Sequence, residues 1–145
     1  MKIPFKKICI ASDHAGFKYK SYILDFLISK NYSIIDLGPQ NANSVDYPDY
    51  AKKVSNRIKS KKSDMGILVS GSGTGMAISA NKIKDIRAAV CYNPKSTRLS
   101  RQHNNANIIA LGARLTKNSL SLKLVDLFLK TKFEGGRHLK RVKKI

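Results

Sequence analysis

Met65-Gly66-Ile67-Leu68-Val69-Ser70-Gly71-Ser72-Gly73-Thr74-Gly75 is the stretch on which the fold turns. Its first five residues form a short apolar run of strand type, and the glycines behind Ser70 end it. An amphipathic segment predicted as a helix over 75–82 follows at once. A strand that passes through a glycine turn into a helix is half of a βαβ unit, the building block of parallel sheets.

The same alternation extends in both directions. Further strands are predicted at 7–11, 33–37, 87–91 and 107–111, and helices at 16–30, 50–61, 95–103 and 120–130. Asn31, Gly38-Pro39 and Asn93-Pro94 punctuate them. In the first helix Phe17, Ile23, Leu24, Leu27 and Ile28 are expected to face the core, with Lys18, Lys20, Asp25 and Lys30 mostly opposite. Five strands alternating with helices give an α/β class and a parallel sheet. Residues 134–145 open with Gly135-Gly136 and carry Arg137, Lys140, Arg141, Lys143 and Lys144. They read as a frayed basic tail or as an arm with a task.

At 145 residues the chain is expected to form one domain over 1–145. No apolar run reaches the roughly 18–20 residues that cross a bilayer, so no membrane is expected. The start, Met1-Lys2-Ile3-Pro4-Phe5-Lys6-Lys7, is basic but lacks the apolar core of an export signal, and the cytoplasm is the expected compartment. Cys9 and Cys91 sit in apolar stretches and read as reduced, packed thiols. The 28 Lys and Arg against 9 Asp and Glu give a net charge of +19. Such a field gathers anions, phosphorylated small molecules and nucleic acid alike. The basic residues run from Lys2 to Lys144, so most read as solvated surface lysines and nucleic-acid binding as non-specific if present.

In an open parallel sheet, ligands bind beyond the carboxyl ends of the strands. Ser12-Asp13-His14, Ser70-Gly71-Ser72 and Cys91-Tyr92-Asn93 fall at such ends. The amides of Gly71-Ser72-Gly73-Thr74-Gly75 can converge on an anion. The loop is no P-loop, because no Gly-Lys-Ser/Thr follows. It is no dinucleotide fingerprint either, because the glycines are spaced G-x-G-x-G. Ser70 and Ser72 add hydroxyls to the amides, the donors that a developing oxyanion needs. His14, His103 and His138 all lie at predicted element ends and are candidate proton carriers. None has HxxxH or HxH spacing, so no metal site is expected. Arg98, Arg101, Arg114, Arg137 and Arg141 are candidates for clamping a phosphate.

Ser12-Asp13-His14-Ala15-Gly16-Phe17, Asp46-Tyr47-Pro48, the loop Gly71 to Gly75, Ala80-Asn81-Lys82, Ile86-Arg87-Ala88, Ser100-Arg101-Gln102-His103-Asn104-Asn105-Ala106-Asn107 and the segment from Glu134-Gly135-Gly136-Arg137-His138 to Arg141-Val142 together resemble ribose-5-phosphate isomerase type B. The resemblance runs from Ile8 to Val142, and the order and spacing of its parts are more specific than any one of them. It implies a Rossmann-like three-layer sandwich, a five-stranded parallel sheet flanked by helices and ending in a basic arm. It also implies a homodimer or homotetramer with sites shared between subunits, a sugar phosphate as the small-molecule partner, and no metal or organic cofactor. The implied reaction interconverts ribose 5-phosphate and ribulose 5-phosphate. By the same resemblance Asp13 and His14 face the sugar and phosphate, Tyr47 lines the sugar pocket, and His103 opens the furanose ring with Asn104 beside it. Gly71, Gly73 and Gly75, with Ser72, steady the enediolate. Arg114, Arg137, His138 and Arg141 hold the phosphate.

The chain departs from the pattern at one point. Many members carry a cysteine, the carbon base, immediately before the loop, where Ser70 stands here. Another branch places a glutamate one residue past the last loop glycine, where Met76 stands here. Activity is expected to survive, reduced or rerouted, with Ser70 relaying to a water, Asp13 or His103. Three rival readings remain: an isomerase of a six-carbon sugar phosphate such as allose or galactose 6-phosphate, a non-catalytic sugar-phosphate sensor, and a nucleic-acid-binding protein.

Overall fold

The computed structural model describes residues 7–145, so the basic reading of residues 1–6 lies outside the described residues. Along the chain run β1 (Lys7–Ser12), α1 (Phe17–Ser29), β2 (Ser33–Asp36), α2 (Tyr47–Lys59), β3 (Met65–Ser70), α3 (Thr74–Ala80), β4 (Ala88–Val90), α4 (Pro94–Gln102), β5 (Ile108–Gly112), α5 (Asn118–Lys130) and α6 (Arg137–Val142). All strand pairs are parallel, in the order β2-β1-β3-β5-β4.

The sheet is central because its inner strands are apolar on both sides: β3 and β5 are buried throughout, and β1 from its second residue on. One face packs Ile8, Ile10, Ile67 and Ile109 against Ile23 and Leu27 of α1 and Leu124 and Phe128 of α5. The other packs Cys9, Leu68 and Ile108 against Val54 and Ile58 of α2 and Met76 and Ala80 of α3. Burial pushes the Cys9 thiol up to about 11 and raises that of Cys91, so both stay protonated, packed and free of disulfide.

Four features differ from the sequence-based expectation. Lys20 is turned inward, 1% exposed, with Nζ donating to both carboxylate oxygens of Asp36 at 2.8 and 3.0 Å and to the Pro39 carbonyl, while Ile28 is 60% exposed. A buried ammonium is tolerated because its donors meet a carboxylate and a carbonyl, which periodicity alone does not reveal. Helix α2 starts at Tyr47 rather than residue 50, since Pro48 suits a first turn where its missing N–H costs nothing. Strand β4 is three residues long. The basic segment at the end is ordered as α6, tied down where the Glu134 N–H donates to the Gln102 carbonyl at 3.1 Å.

The chain runs from β1 outward to β2, then back across to β3. The crevice between β1 and β3 is therefore a topological switch point, the place where such sheets take ligands.

Candidate active site

A cavity of about 430 Å³ opens at that switch point. Asp13, just past the end of β1, stands beside Ser70, the last residue of β3, because Ser12 pairs with Val69 and the Asp13 N–H donates to the Val69 carbonyl at 3.1 Å. Ser70, Gly71, Ser72 and Gly75 form the floor; Tyr47 at the start of α2 and Arg114 and Leu115 beyond β5 form the walls.

The loop is shaped from within. Ser70 Oγ accepts a hydrogen bond from the Gly73 N–H at 2.9 Å, and Ser72 Oγ accepts one from the Thr74 N–H at 3.3 Å. Gly73 has φ of 81°, a left-handed conformation that glycine adopts without strain. At Gly75 an added Cβ would stand 2.6 Å from a carbon of the Tyr47 ring, so only glycine lets this wall close on the floor. Among the described residues, the amides of Gly71, Ser72 and Gly75 find no hydrogen-bond partner. These three are free for an oxyanion, whereas the Gly73 amide is committed to Ser70. Arg114 anchors its own N–H on the Gly71 carbonyl at 3.0 Å and lays its guanidinium over Gly71. The Tyr92 hydroxyl donates to the Ser72 carbonyl at 3.1 Å and steadies the loop from the other side.

Asp13 is 8% exposed and Ser70 5%. Asp13 Oδ1 accepts the Gly16 N–H at 2.9 Å, which fixes the carboxylate at the entry to α1. His14, next in sequence, is exposed; its Nδ1 accepts a long hydrogen bond from the Val45 N–H at 3.4 Å.

A second cluster forms where α4 ends and α6 begins. The rings of His103 and His138 stack with centroids 4.2 Å apart and planes 16° from parallel. Burial, then the charges of His103, Arg137 and Arg141, hold the His138 imidazole below its ordinary value, with Glu134 pulling the other way. These effects favour its neutral form. Ligand atoms of His103, Glu134 and His138 lie within 4.8 Å of one another, a set able to hold a divalent cation although no spacing motif announces it. The charges of Arg137 and Arg141 oppose a cation there and favour an anion.

A family model described as Ribose/Galactose Isomerase matches residues 8–145. The chain belongs to that family. The structure of ribose-5-phosphate isomerase B from Clostridium thermocellum superposes with a TM-score of 0.94 at 50% identity, covering 95% of this chain and 93% of the other. That of ribose-5-phosphate isomerase B from Mycoplasma genitalium, solved with bound ribulose 5-phosphate, gives a TM-score of 0.91 at 43% identity, over 95% and 92% of the two chains. Ribose-5-phosphate isomerase B of Escherichia coli K12 is 42% identical over 140 residues, 97% of this chain and 94% of that protein.

Within the isomerase family fold, the candidate residues fall into two sets. Asp13, Tyr47, Ser70, Gly71, Ser72, Gly75 and Arg114 line one cavity, with Gly73 buried beneath it. His103, His138, Arg137 and Arg141 gather at α6, outside the lining of that cavity, and Asn104 lines a different cleft together with Arg87 and Ile145. Arg101, a candidate clamp from sequence, is buried: Nε donates to the Thr131 carbonyl at 3.0 Å, and Nη1 to Asn105 Oδ1 at 2.9 Å and the Ala106 carbonyl at 2.6 Å. Those donors serve the turn after His103 and the end of α5. Leu115 was not singled out by sequence; Tyr92 was read only as part of a polar strand end and Glu134 only as the start of the family segment, and the contacts each makes here are long-range ones that no local pattern marks.

Proposed function

We propose that this chain interconverts ribose 5-phosphate and ribulose 5-phosphate through an enediolate, as a one-domain cytoplasmic enzyme that uses no metal or organic cofactor. The observation that carries the reading is the cavity at the switch point, where three free amides, the hydroxyls of Ser70, Ser72 and Tyr47, a carboxylate and a guanidinium meet. Moving a proton between adjacent carbons creates a negative oxygen, and donors fixed in place before the reaction lower its energy most. The amides of Gly71, Ser72 and Gly75, with the Ser72 hydroxyl, take that role. Gly73 acts indirectly, by holding Ser70 in the turn. The phosphate is a remote handle whose binding energy orients the sugar.

His103 opens the furanose ring with Asn104 beside it, while Tyr47, Asp13 and His14 meet the sugar. Arg114, Arg137, His138 and Arg141 bind the phosphate. The separation of the two sets in one chain supports a homodimer or homotetramer in which the His103 set of one subunit completes the cavity of another. The exposed Leu115 at the cavity wall and Leu139 on α6 suit a face that meets a second chain.

The test is conversion of ribose 5-phosphate in chelator-treated buffer, followed by NMR and set beside allose 6-phosphate and galactose 6-phosphate. The expected result is the highest kcat/KM with the pentose. Conversion of a hexose phosphate alone would keep the chemistry and change the substrate. Binding of ribose 5-phosphate without any conversion would make the chain a sensor.

A further inference from the structure

We propose that Asp13 is the base that carries the carbon-bound proton, with the Ser70 hydroxyl confined to moving protons between oxygens. The inference rests on the isomerase reading above and names a residue that the reaction needs. An aldose-ketose isomerisation must lift a proton from a carbon, and a base in reach of that carbon must line the cavity. Of the lining groups, Tyr47 and the two serines are hydroxyls and Arg114 is a cation. Asp13 is the one carboxylate. His14 lies exposed, engaged with Val45, and His103 is stacked on His138 away from the floor.

The hydrogen bonding supports the same division. Ser70 Oγ receives the Gly73 N–H, so its lone pairs are partly committed and its own proton remains to be donated. A serine in this state is a relay and a poor carbon base. Asp13 has one oxygen fixed by the Gly16 N–H, and among the described residues Oδ2 finds no hydrogen-bond donor. One oxygen anchors the group and the other is left for the substrate.

The atoms balance without any co-reactant. In the ring-opened aldose, Asp13 Oδ2 takes the proton from C2. The C–H electrons form the C1–C2 double bond, and the carbonyl electrons settle on O1 against the free loop amides. Ser70 then donates its hydroxyl proton to O1 and accepts the O2 proton in its place. The C2–O2 double bond forms, and Asp13 returns its proton to C1. Asp13 and Ser70 end as they began.

The experiment compares wild type, Asp13→Asn, Ser70→Ala and the double variant Asp13→Asn/Ser70→Cys, following isomerisation and incorporation of solvent deuterium at C1 of ribulose 5-phosphate. Asparagine keeps an acceptor for the Gly16 N–H, so the start of α1 is retained. The expected loss in Asp13→Asn is about 10²–10⁴-fold in both rates, with ribulose 5-phosphate affinity within about threefold of wild type. Ser70→Ala is expected to slow isomerisation by about 10–10²-fold, because the transfer of a proton between O1 and O2 is lost, while exchange at C1, which needs only Asp13, stays within about tenfold of wild type. The double variant is expected to regain exchange, because a thiolate then stands at the floor. Exchange in Asp13→Asn within threefold of wild type overturns the proposal. So does a loss of exchange at C1 in Ser70→Ala as large as that expected for Asp13→Asn, an outcome that decides the matter even if Asp13→Asn does not fold. A wild type that binds the sugar phosphate with neither turnover nor exchange refutes the isomerase reading itself.

Discussion

Ser70 lines the candidate cavity and has the hydrogen bonding of a turn residue. Its hydroxyl closes the loop onto Gly73, and in doing so removes one amide from the set left free at the cavity. Sequence alone placed Ser70, Ser72 and the glycines at the strand end, because an apolar run followed by spaced glycines is a local signal. Which amide stays free is decided by a single 2.9 Å contact, and no residue pattern reports it. His138 shows the same limit. Its place at a glycine-flanked element end was legible, its stacking on His103 was not, since the two are brought together by the path of the chain from α4 to α6. The folded His138 titrates below the ordinary 6.5, chiefly through burial. Between the folded and the unfolded value, the unfolded chain binds more protons. Stability therefore rises with pH through that window and falls on acidification below about pH 6.5. The melting temperature of the wild type is expected to drop more between about pH 7.5 and 5.5 than that of His138→Gln, as scanning calorimetry would read. An equal drop in both would mean that the ring is not held in its neutral form.

At the scale of elements, the five strands and the helices between them were legible because each strand is a short apolar run bounded by turn residues. What was not legible is where polar side chains spend their bonds. Lys20 and Arg101 read as surface cations by type, yet both are buried with their donors satisfied. Arg101 joins the end of α4 to the end of α5 through the Thr131 carbonyl and closes the turn after His103 through Ala106 and Asn105. Desolvation and the nearby Arg87 lower its guanidinium to about 10, so it remains a cation at neutral pH. Arg101→Ala is expected to destabilise the fold by about 3 kcal/mol, because it strands buried carbonyls and empties the space beside Phe128. Urea unfolding gives this directly, and a cost under about 0.5 kcal/mol would show the contacts to be incidental. α6 was the element missed. Six residues behind two glycines carry too little periodicity to announce a helix, and the basic run reads equally well as a solvated tail.

For the whole molecule, the order β2-β1-β3-β5-β4 sets the switch point beside the glycine loop, while the path through α4 and α6 collects the histidines and arginines elsewhere. On the proposed function each set is half of a catalytic constellation, the loop giving oxyanion donors, Arg114 and a carboxylate, and the other a ring-opening acid and phosphate-binding cations. A charge of +19 is of the sign that gathers anionic ligands at a surface. If two subunits complete each other, a variant damaged in one set should rescue a variant damaged in the other. Subunit mixing tests this most directly: His103→Ala and Arg114→Ala, each inactive alone, are unfolded together, refolded as an equal mixture and assayed with ribose 5-phosphate. Random pairing into dimers with one intact site in each mixed pair predicts recovery of about a quarter of wild-type activity. A mixture that forms mixed oligomers yet stays as inactive as its components would contradict a site shared between two chains.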